Sequence, residues 1–359
     1  MGPLPPPYFG QSVAFSTVVE NFAGKHIIIN TSNKNTVLSG IFLCVKILYF
    51  TTFYKIDIIY LTCSRSFLGS IRDVVLLFGA RIRRIKVINH LHGADFKIFY
   101  DKLPKLYKKI VHWCYSGVDT NIVLFEELKS EFSDFPHTKI EVVPNAYSKD
   151  LDYLPLEKTK KKAEDKVMLL YCSNIMKSKG IINLLQAYEQ VLQKYKNIEL
   201  RIVGIPMKDY ICSEEVITQE FNLNFERIKK RCPDNIFYYG ARIGDEKKEL
   251  LWDSDIFILP TFHFSEAFPL SVLEALRAGN YIITTNHNYL SRIISDENGR
   301  LIQPNSVSDI VESIEKIIFD RDLLWRTQNY NIQYARENYG EEQYVNNLCK
   351  IINSNLRTP

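Results

Sequence analysis

The sequence predicts an α/β protein of two domains, each a parallel sheet with helices on its faces. Three observations lead there. The chain has 359 residues, about twice an ordinary domain. Short apolar, β-branched runs alternate with amphipathic stretches over almost its whole length. One polar, lysine-heavy segment, "YSKDLDYLPLEKTKKKAEDK", divides the runs into two series and reads as the interdomain connection.

The first series is "KHIIINTS", "KIDIIYLTC", "IKVINHLHG", "TNIVLF" and "IEVVPN", each expected to be a strand. Between the first two lies "GIFLCVKILYFTTFY", the most apolar part of the chain. Lys46, Lys55 and Asp57 interrupt that run, leaving it short of the roughly 20 clean residues that span a bilayer. A helix leading into a buried strand is expected instead. The second series is "KVMLLYCSN", "IELRIVG", "NIFYYG", "DIFILP", "NYIITTN" and "GRLIQP". After a break at Tyr339–Gly340, "EEQYVNNLCKIINSN" places Tyr344, Val345, Leu348, Ile351 and Ile352 at helical spacing, so a final helix packs on something. Domain boundaries are expected at 1–148, with the helix at about 341–355 returning to that domain, and at 149–340.

Composition excludes several classes. With 46% hydrophobic and 24% charged residues the chain is globular over most of its length. Its seven cysteines are scattered with no CxxC, which argues against a disulfide framework or a zinc ribbon and for reduced thiols. The prolines near Met1 stand where a secretory leader needs an apolar core, so a cytoplasmic protein is expected. Residues 1–150 hold 18 Lys/Arg against 12 Asp/Glu, whereas residues 151–359 hold 27 against 29. The basic front half concentrates its charge in "ARIRRIK" and "DKLPKLYKKIVHW", the second expected to put Lys102, Lys105 and Lys109 on one helical face. That pattern suits anionic lipid headgroups or a phosphate-bearing acceptor better than nucleic acid, for which no recognised motif is present.

The strongest local signal is "DIFILPTFHFSEAFPLSVLEALRAGNYIITTN". A strand should end at Pro260, and a helix should run from about Pro269 to Gly279, with proline in its first turn and glycine at its end. The N–H groups at such a helix start, with the positive end of its dipole, form a natural phosphate site. Glu266 and Glu274 mark the segment; eight helical steps would separate them by about 12 Å. Hydrolytic carboxylate pairs stand at roughly 5–9.5 Å across one bond. The two glutamates are therefore better placed to grip two ends of an extended ligand than to act as acid and base on one bond.

Glu266, seven residues and Glu274, in E-AFPLSVL-E-ALRAG, resemble the E-x7-E signature of the retaining family 4 glycosyltransferases of GT-B fold. "VMLLYCSNIMKSKGIINLLQAYEQVL" is similar to that family's donor-phosphate loop and helix, and "NIFYYGARIGDEKKELLWDSDIFILP" to the segment leading into the signature. "PPPYFGQS", "HLHGADF" and "VVPNAY" resemble its glycine loop, acceptor-domain histidine and last front strand end. The resemblance implies two Rossmann-like domains facing across a cleft, the last helix crossing back to the first. It implies transfer of a sugar, with retention, from a nucleotide-diphosphate sugar to a hydroxyl of a saccharide or lipid-linked acceptor in surface-polysaccharide synthesis. The enzyme would need no cofactor and no metal, and would be peripheral on the inner membrane face.

Carried over position by position, the resemblance gives Glu266 the donor sugar and Glu274 the ribose. Backbone N–H groups of Phe268, Leu270 and Ser271 would meet sugar and phosphate oxygens. Lys179 would neutralise the diphosphate, His92 would meet the reacting sugar, Gly10 would approach the donor phosphate, and the base would lie near Gly240–Ile243. Where the family often reads G-R-L beside the phosphate, this chain reads Ser173-Asn174-Ile175; Asn174 donates a hydrogen bond but carries no charge. Lys179, Lys177 or Arg242 would then supply what is missing, or the enzyme is slow. A catalytically weak GT-B subunit that binds donor or scaffolds a partner transferase is the alternative reading. Finally, the strand that should precede the glycine loop is missing, since Met1 and Gly2 are expected not to form it. Either the natural start is expected upstream, or the front sheet is expected to lack its central first strand and to be less stable for it; a version extended by an apolar strand should melt higher.

Overall fold

The structure, a computed structural model, describes residues 1–6, 8–32 and 37–356, so Pro7 of the proline loop lies outside the described residues. The chain forms two units, Met1–Asn145 with Glu342–Pro359, and Ala146–Glu341.

In the first unit, α1 (Gly10–Asn21) and α2 (Val37–Phe53) precede β1 (Ile58–Thr62), α3 (Phe67–Ile82) and β2 (Lys86–His90). Then come α4 (Phe96–Asp101), α5 (Lys105–Tyr115), β3 (Thr120–Val123) and β4 (Lys139–Val142). The four strands pair in parallel in the order β1-β2-β3-β4. Two expectations need correcting. "KHIIINTS" forms no regular strand, and what stands beside β1 is Met1–Gly2 itself. Thr62 N donates to Met1 O at 3.0 Å, Gly2 N to Ile29 O at 3.2 Å and Thr31 N to Gly2 O at 3.0 Å. Met1 and Gly2 thus do pair on both sides, and among the described residues Gly2 is the one strand-like backbone partner of "KHIIINTS". Lys102 is the second correction, for it caps α4 and is separated from α5 by Pro104, so it shares no helix with Lys105 and Lys109.

The second unit alternates β5 (Val167–Cys172), α6 (Ile181–Lys194), β6 (Ile198–Val203), α7 (Glu214–Arg231), β7 (Ile236–Tyr238) and α8 (Gly244–Asp253). It continues with β8 (Ile256–Leu259), α9 (Leu270–Arg277), β9 (Tyr281–Thr285), β10 (Gly299–Ile302), α10 (Val307–Phe319) and α11 (Arg321–Tyr339). All six runs predicted as strands are strands, parallel, in the order β10-β9-β8-β5-β6-β7. β5 and β8 are neighbours, yet the chain leaves them toward opposite edges. A crevice therefore opens at their carboxyl ends, where doubly wound sheets bind ligands. Full burial of β8 and β9 explains why their sequences are unbroken apolar runs instead of alternating ones.

After Gly340 comes α12 (Glu341–Asn355), which serves the first unit: Val345, Leu348 and Ile352 line a small hollow with Val18 and Phe22 of α1, and Thr120 of β3 bonds Asn355 at 3.3 Å. All seven cysteines are free thiols.

The lysine-rich connection is not a loose linker. Lys158 reaches inward to the Ser254 carbonyl at 3.0 Å and lies over the Trp252 ring, and Lys161 pairs with Asp255 at 2.6 Å. Arg277 of α9, with no exposed side-chain surface, donates to the carbonyls of Asp152, Leu154 and Pro155 at 3.1, 3.0 and 3.4 Å. Replacing Arg277 with Met keeps most of the stem and removes the donors. It is expected to cost about 2–4 kcal/mol, because buried carbonyls lose their partners. Urea unfolding measures this, and an unchanged midpoint would mean that the connection is not held by those bonds.

Candidate active site

Lys179 and Glu266 meet at the crevice beside β5 and β8. Lys179 ends a short 3-10 turn (Lys177–Lys179) after β5, and Glu266 lies in the loop after β8. Its ammonium donates to Glu266 Oε2, both side chains being largely buried. Thr261 Oγ1 donates to the same oxygen at 3.2 Å and accepts from His263 N at 3.2 Å. Burial pushes the Glu266 carboxyl up, but the Lys179 ammonium, then His263 and the Thr261 hydroxyl, outweigh it and hold it below the usual value. Glu266 is therefore charged at neutral pH, and the stabilisation the pair lends the fold is lost only as pH falls through that depressed value.

The two loops are also joined by backbone. Phe262 N donates to Ser178 O at 2.7 Å, and the Ser178 hydroxyl meets His263 Nδ1 at 2.8 Å. Gly180, at φ 75°, makes the close approach possible, since a Cβ there would overlap the Pro260 carbonyl oxygen. Gly204, at φ 140° after β6, does the same beneath Ser173, beside Asn174. The half-buried Asn174 takes its place through its own carbonyl, which accepts from the Tyr171 hydroxyl at 2.9 Å.

Helix α9 begins where the E-x7-E pattern expects it. Pro269 occupies its N-cap and offers no side-chain acceptor, leaving first-turn donors at Leu270 and Ser271 for a ligand. The buried Phe268 packs edge-on against Tyr339, 5.6 Å between ring centres. Glu274, one turn into α9, is not open as the sequence would suggest. Lys247 of α8 lies 2.7 and 2.6 Å from its two carboxylate oxygens. Burial alone would depress the Lys247 ammonium, but the Glu274 carboxylate raises it above its ordinary value.

Lys247 is the residue sequence reasoning missed. Its signal was a lysine on the inward face of an otherwise ordinary amphipathic helix, a position usually given to an apolar side chain. It also bears on the charge missing at Asn174. Of the two cations proposed to replace that charge besides Lys179, Lys177 is bound to Glu220 at 2.9 Å and Arg242 to Glu246 at 3.0 Å. Lys247 instead sits beside Glu274 and near Cys172 at the end of β5, whose thiol burial pushes up to about 11 against the smaller opposing effect of the Lys247 ammonium.

In the first unit, Gly10 is the exposed first residue of α1, with Ser12 Oγ accepting from Phe9 N at 3.0 Å just before it. His92 follows β2. Its ring lies 3.9 Å from that of His90, which meets the Tyr60 hydroxyl at 2.5 Å. Burial first, then the Arg65 guanidinium, lower His92 to about 3 against a smaller opposing effect of Asn145, so it is neutral at physiological pH. Arg65 itself is paired with Asp95 at 2.5 Å.

These two parallel α/β units define a GT-B protein. The sequence pattern of the glycosyl transferases group 1 family matches residues 155–338, and the chain belongs to that family. It is 25% identical over 244 residues to the lipopolysaccharide 1,2-N-acetylglucosaminetransferase of Salmonella typhimurium, a match covering 66% of this chain and 59% of the relative. It is 24% identical over 290 residues to the capsular polysaccharide biosynthesis glycosyltransferase CapM of Staphylococcus aureus, covering 77% and 71%. Among solved structures, Anabaena HepE in complex with UDP superposes with a TM-score of 0.68 at 14% identity, over 87% of this chain and 82% of that one.

Gly180→Ala adds the forbidden Cβ in a left-handed backbone and is expected to destabilise the second unit by at least about 2 kcal/mol. Thermal unfolding tests this; wild-type stability would mean that the loop does not depend on the Gly180–Pro260 approach.

Proposed function

We propose that the chain is a retaining glycosyltransferase that moves a sugar from a nucleoside-diphosphate sugar to an acceptor hydroxyl. The observation that carries this reading is the buried Lys179–Glu266 pair beside the uncapped start of α9. A cation and a row of free N–H groups suit a diphosphate. A charged carboxylate held between them suits sugar hydroxyls, which donate to it. Arrival of the diphosphate would draw the Lys179 ammonium from Glu266, freeing the carboxylate for the sugar. Lys247 and Glu274 are assigned to the nucleotide side, Glu274 to the ribose and Lys247 to the charge that Asn174 lacks. A UDP complex on the same fold in HepE supports a nucleotide donor.

In the reaction, the bond from the anomeric carbon to the phosphate oxygen breaks and the bond to the acceptor oxygen forms on the same face. The acceptor proton passes to the departing phosphate, so no protein base is required. Lys179 and the α9 N–H groups stabilise the charge that develops on the diphosphate, worth several kcal/mol in a water-poor site. His92, neutral and buried, is the first unit's contribution to steadying the oxocarbenium-like sugar. The names of the Salmonella and Staphylococcus relatives support a role in surface-polysaccharide synthesis, for which we propose a saccharide or lipid-linked acceptor met at the inner membrane face.

A donor is first sought with UDP and a panel of nucleotide sugars by thermal shift, since a ligand that binds the folded state raises its melting point. With the donor found, Glu266→Ala and Lys179→Ala are each expected to lower transfer at least about a hundredfold. Near-wild-type rates, or a product of inverted anomeric configuration, would end the proposal. Because His92 is already neutral, the rate should show no acid limb near pH 6.5 from this residue. A limb there that disappears in His92→Asn would contradict its assignment. The departure at Asn174 favours one second reading, a catalytically weak subunit that binds donor. It predicts a thermal shift with donor but neither transfer nor donor hydrolysis by the purified chain.

A further inference from the structure

The most exposed apolar surface of the protein is a single helix. α2 turns Leu43, Ile47 and Thr51 inward, where they are buried. Its opposite side carries Leu38, Ile41, Phe42, Val45, Tyr49 and Phe53, spaced as one helical stripe and all exposed, with Leu38 at 79%, Phe42 at 71% and Phe53 at 74%. A helix that is apolar all round is ordinarily buried or in contact with lipid. Its 17 residues extend about 25 Å, and among the described residues no helix is long and apolar enough to cross a membrane.

The neighbouring helices carry exposed aromatic and basic groups of their own. Arg83 at the end of α3 donates to the carbonyls of Thr51 and Tyr54, at 2.5 and 2.8 Å, fixing the end of α2. Phe78 of α3 is exposed and lies 5.6 Å from the half-exposed Trp113 of α5. The Arg81 guanidinium covers the same indole at 4.4 Å.

Charge is what decides the occupant. Across residues 37–54, 67–84 and 105–115 the only acidic residue is Asp73, which is buried, while the basic ones are Lys46, Arg72, Arg81, Arg83, Arg84, Lys105, Lys108 and Lys109; of the exposed acids in the segments between, Asp57 follows α2 and Asp101 pairs with Lys108 at 2.7 Å. A second copy docked on this face would bring two basic surfaces together. An apolar stripe fringed by arginine, lysine and an aromatic pair, with no exposed acid on these three helices, complements a sheet of anionic headgroups over acyl chains.

We infer that α2 lies in the plane of an anionic bilayer, its outer stripe sunk to the boundary between headgroups and acyl chains and the cations of α3 and α5 among the phosphates. This deepens the membrane placement proposed above and rests on that placement, though not on sugar transfer. It differs from a purely electrostatic contact in that apolar insertion persists when salt screens the charges.

The test is flotation of the full chain with vesicles of phosphatidylcholine alone or mixed equally with phosphatidylglycerol, at about 0.1 M and about 1 M salt. Binding to the mixed vesicles is expected, with at least about half retained at the higher salt. Phe42→Glu combined with Val45→Glu changes only outward side chains and is expected to lower binding at least about tenfold at either salt with an unchanged melting point. Lys105→Gln with Lys109→Gln should weaken binding at low salt only. A Phe42→Trp variant should be quenched by bromine-labelled acyl chains. The inference is overturned if the double glutamate variant binds as wild type, or if high salt abolishes wild-type binding. It is equally overturned if light scattering finds a dimer that the double glutamate variant dissociates. Failure of every nucleotide to shift the melting point while vesicle binding persists would sink the transferase reading and leave this one standing.

Discussion

One ion pair organises the second unit's crevice. Lys179 and Glu266 come from loops 87 residues apart in sequence, each following one of the two central strands. In water such a pair would be worth little. Buried beside Thr261, with the loops already bonded through Ser178 and Phe262, it costs little further ordering, and neither charge can leave without a replacement partner. On the proposed function the pair serves as a placeholder, keeping an ammonium and a carboxylate in a partly dry crevice until the donor offers each of them something better.

The same logic recurs at the second glutamate of the signature, where Lys247 holds Glu274. Both glutamates of the signature are thus paired with lysines, one lysine legible in a motif and the other not. The first unit handles its buried polar groups differently. The rings of His90 and His92 lie 3.9 Å apart, tilted to one another, and burial keeps both neutral, as the role proposed for His92 beside a positively charged sugar-like species would require.

Much of this was legible in the sequence because it depends on local pattern. Six apolar runs gave six strands of one sheet, and proline and glycine bracketed α9 where they were expected to. Glu266, Lys179 and the free helix start could be named before any coordinates, since the chemistry of a phosphate site is written in short stretches. What stayed hidden depends on neighbours. "KHIIINTS" has the composition of a strand but, among the described residues, only Met1–Gly2 as a strand-like backbone partner. Lys158 and Lys161 read as solvated linker lysines, yet carbonyl groups and Asp255 receive them inside the second unit. Lys247 looked like any surface lysine until Glu274 was found above it. For α2, the run of apolar residues was plain, but periodicity does not reveal that one side of a helix has no protein to cover it.

Helix α9 is eight residues long, about 12 Å, too short to bend. Its first turn presents the free N–H groups, its second carries Glu274, and its last residue, Arg277, grips the carbonyls of Asp152, Leu154 and Pro155. On the proposed function it is a rigid link with the diphosphate at one end and the connecting segment at the other. A shift at its first turn would then be felt at residues 152–155. By reciprocity, whatever pulls on that segment would loosen the proposed grip on the diphosphate. Donor affinity would on that reading be set in part at a place that never touches the donor.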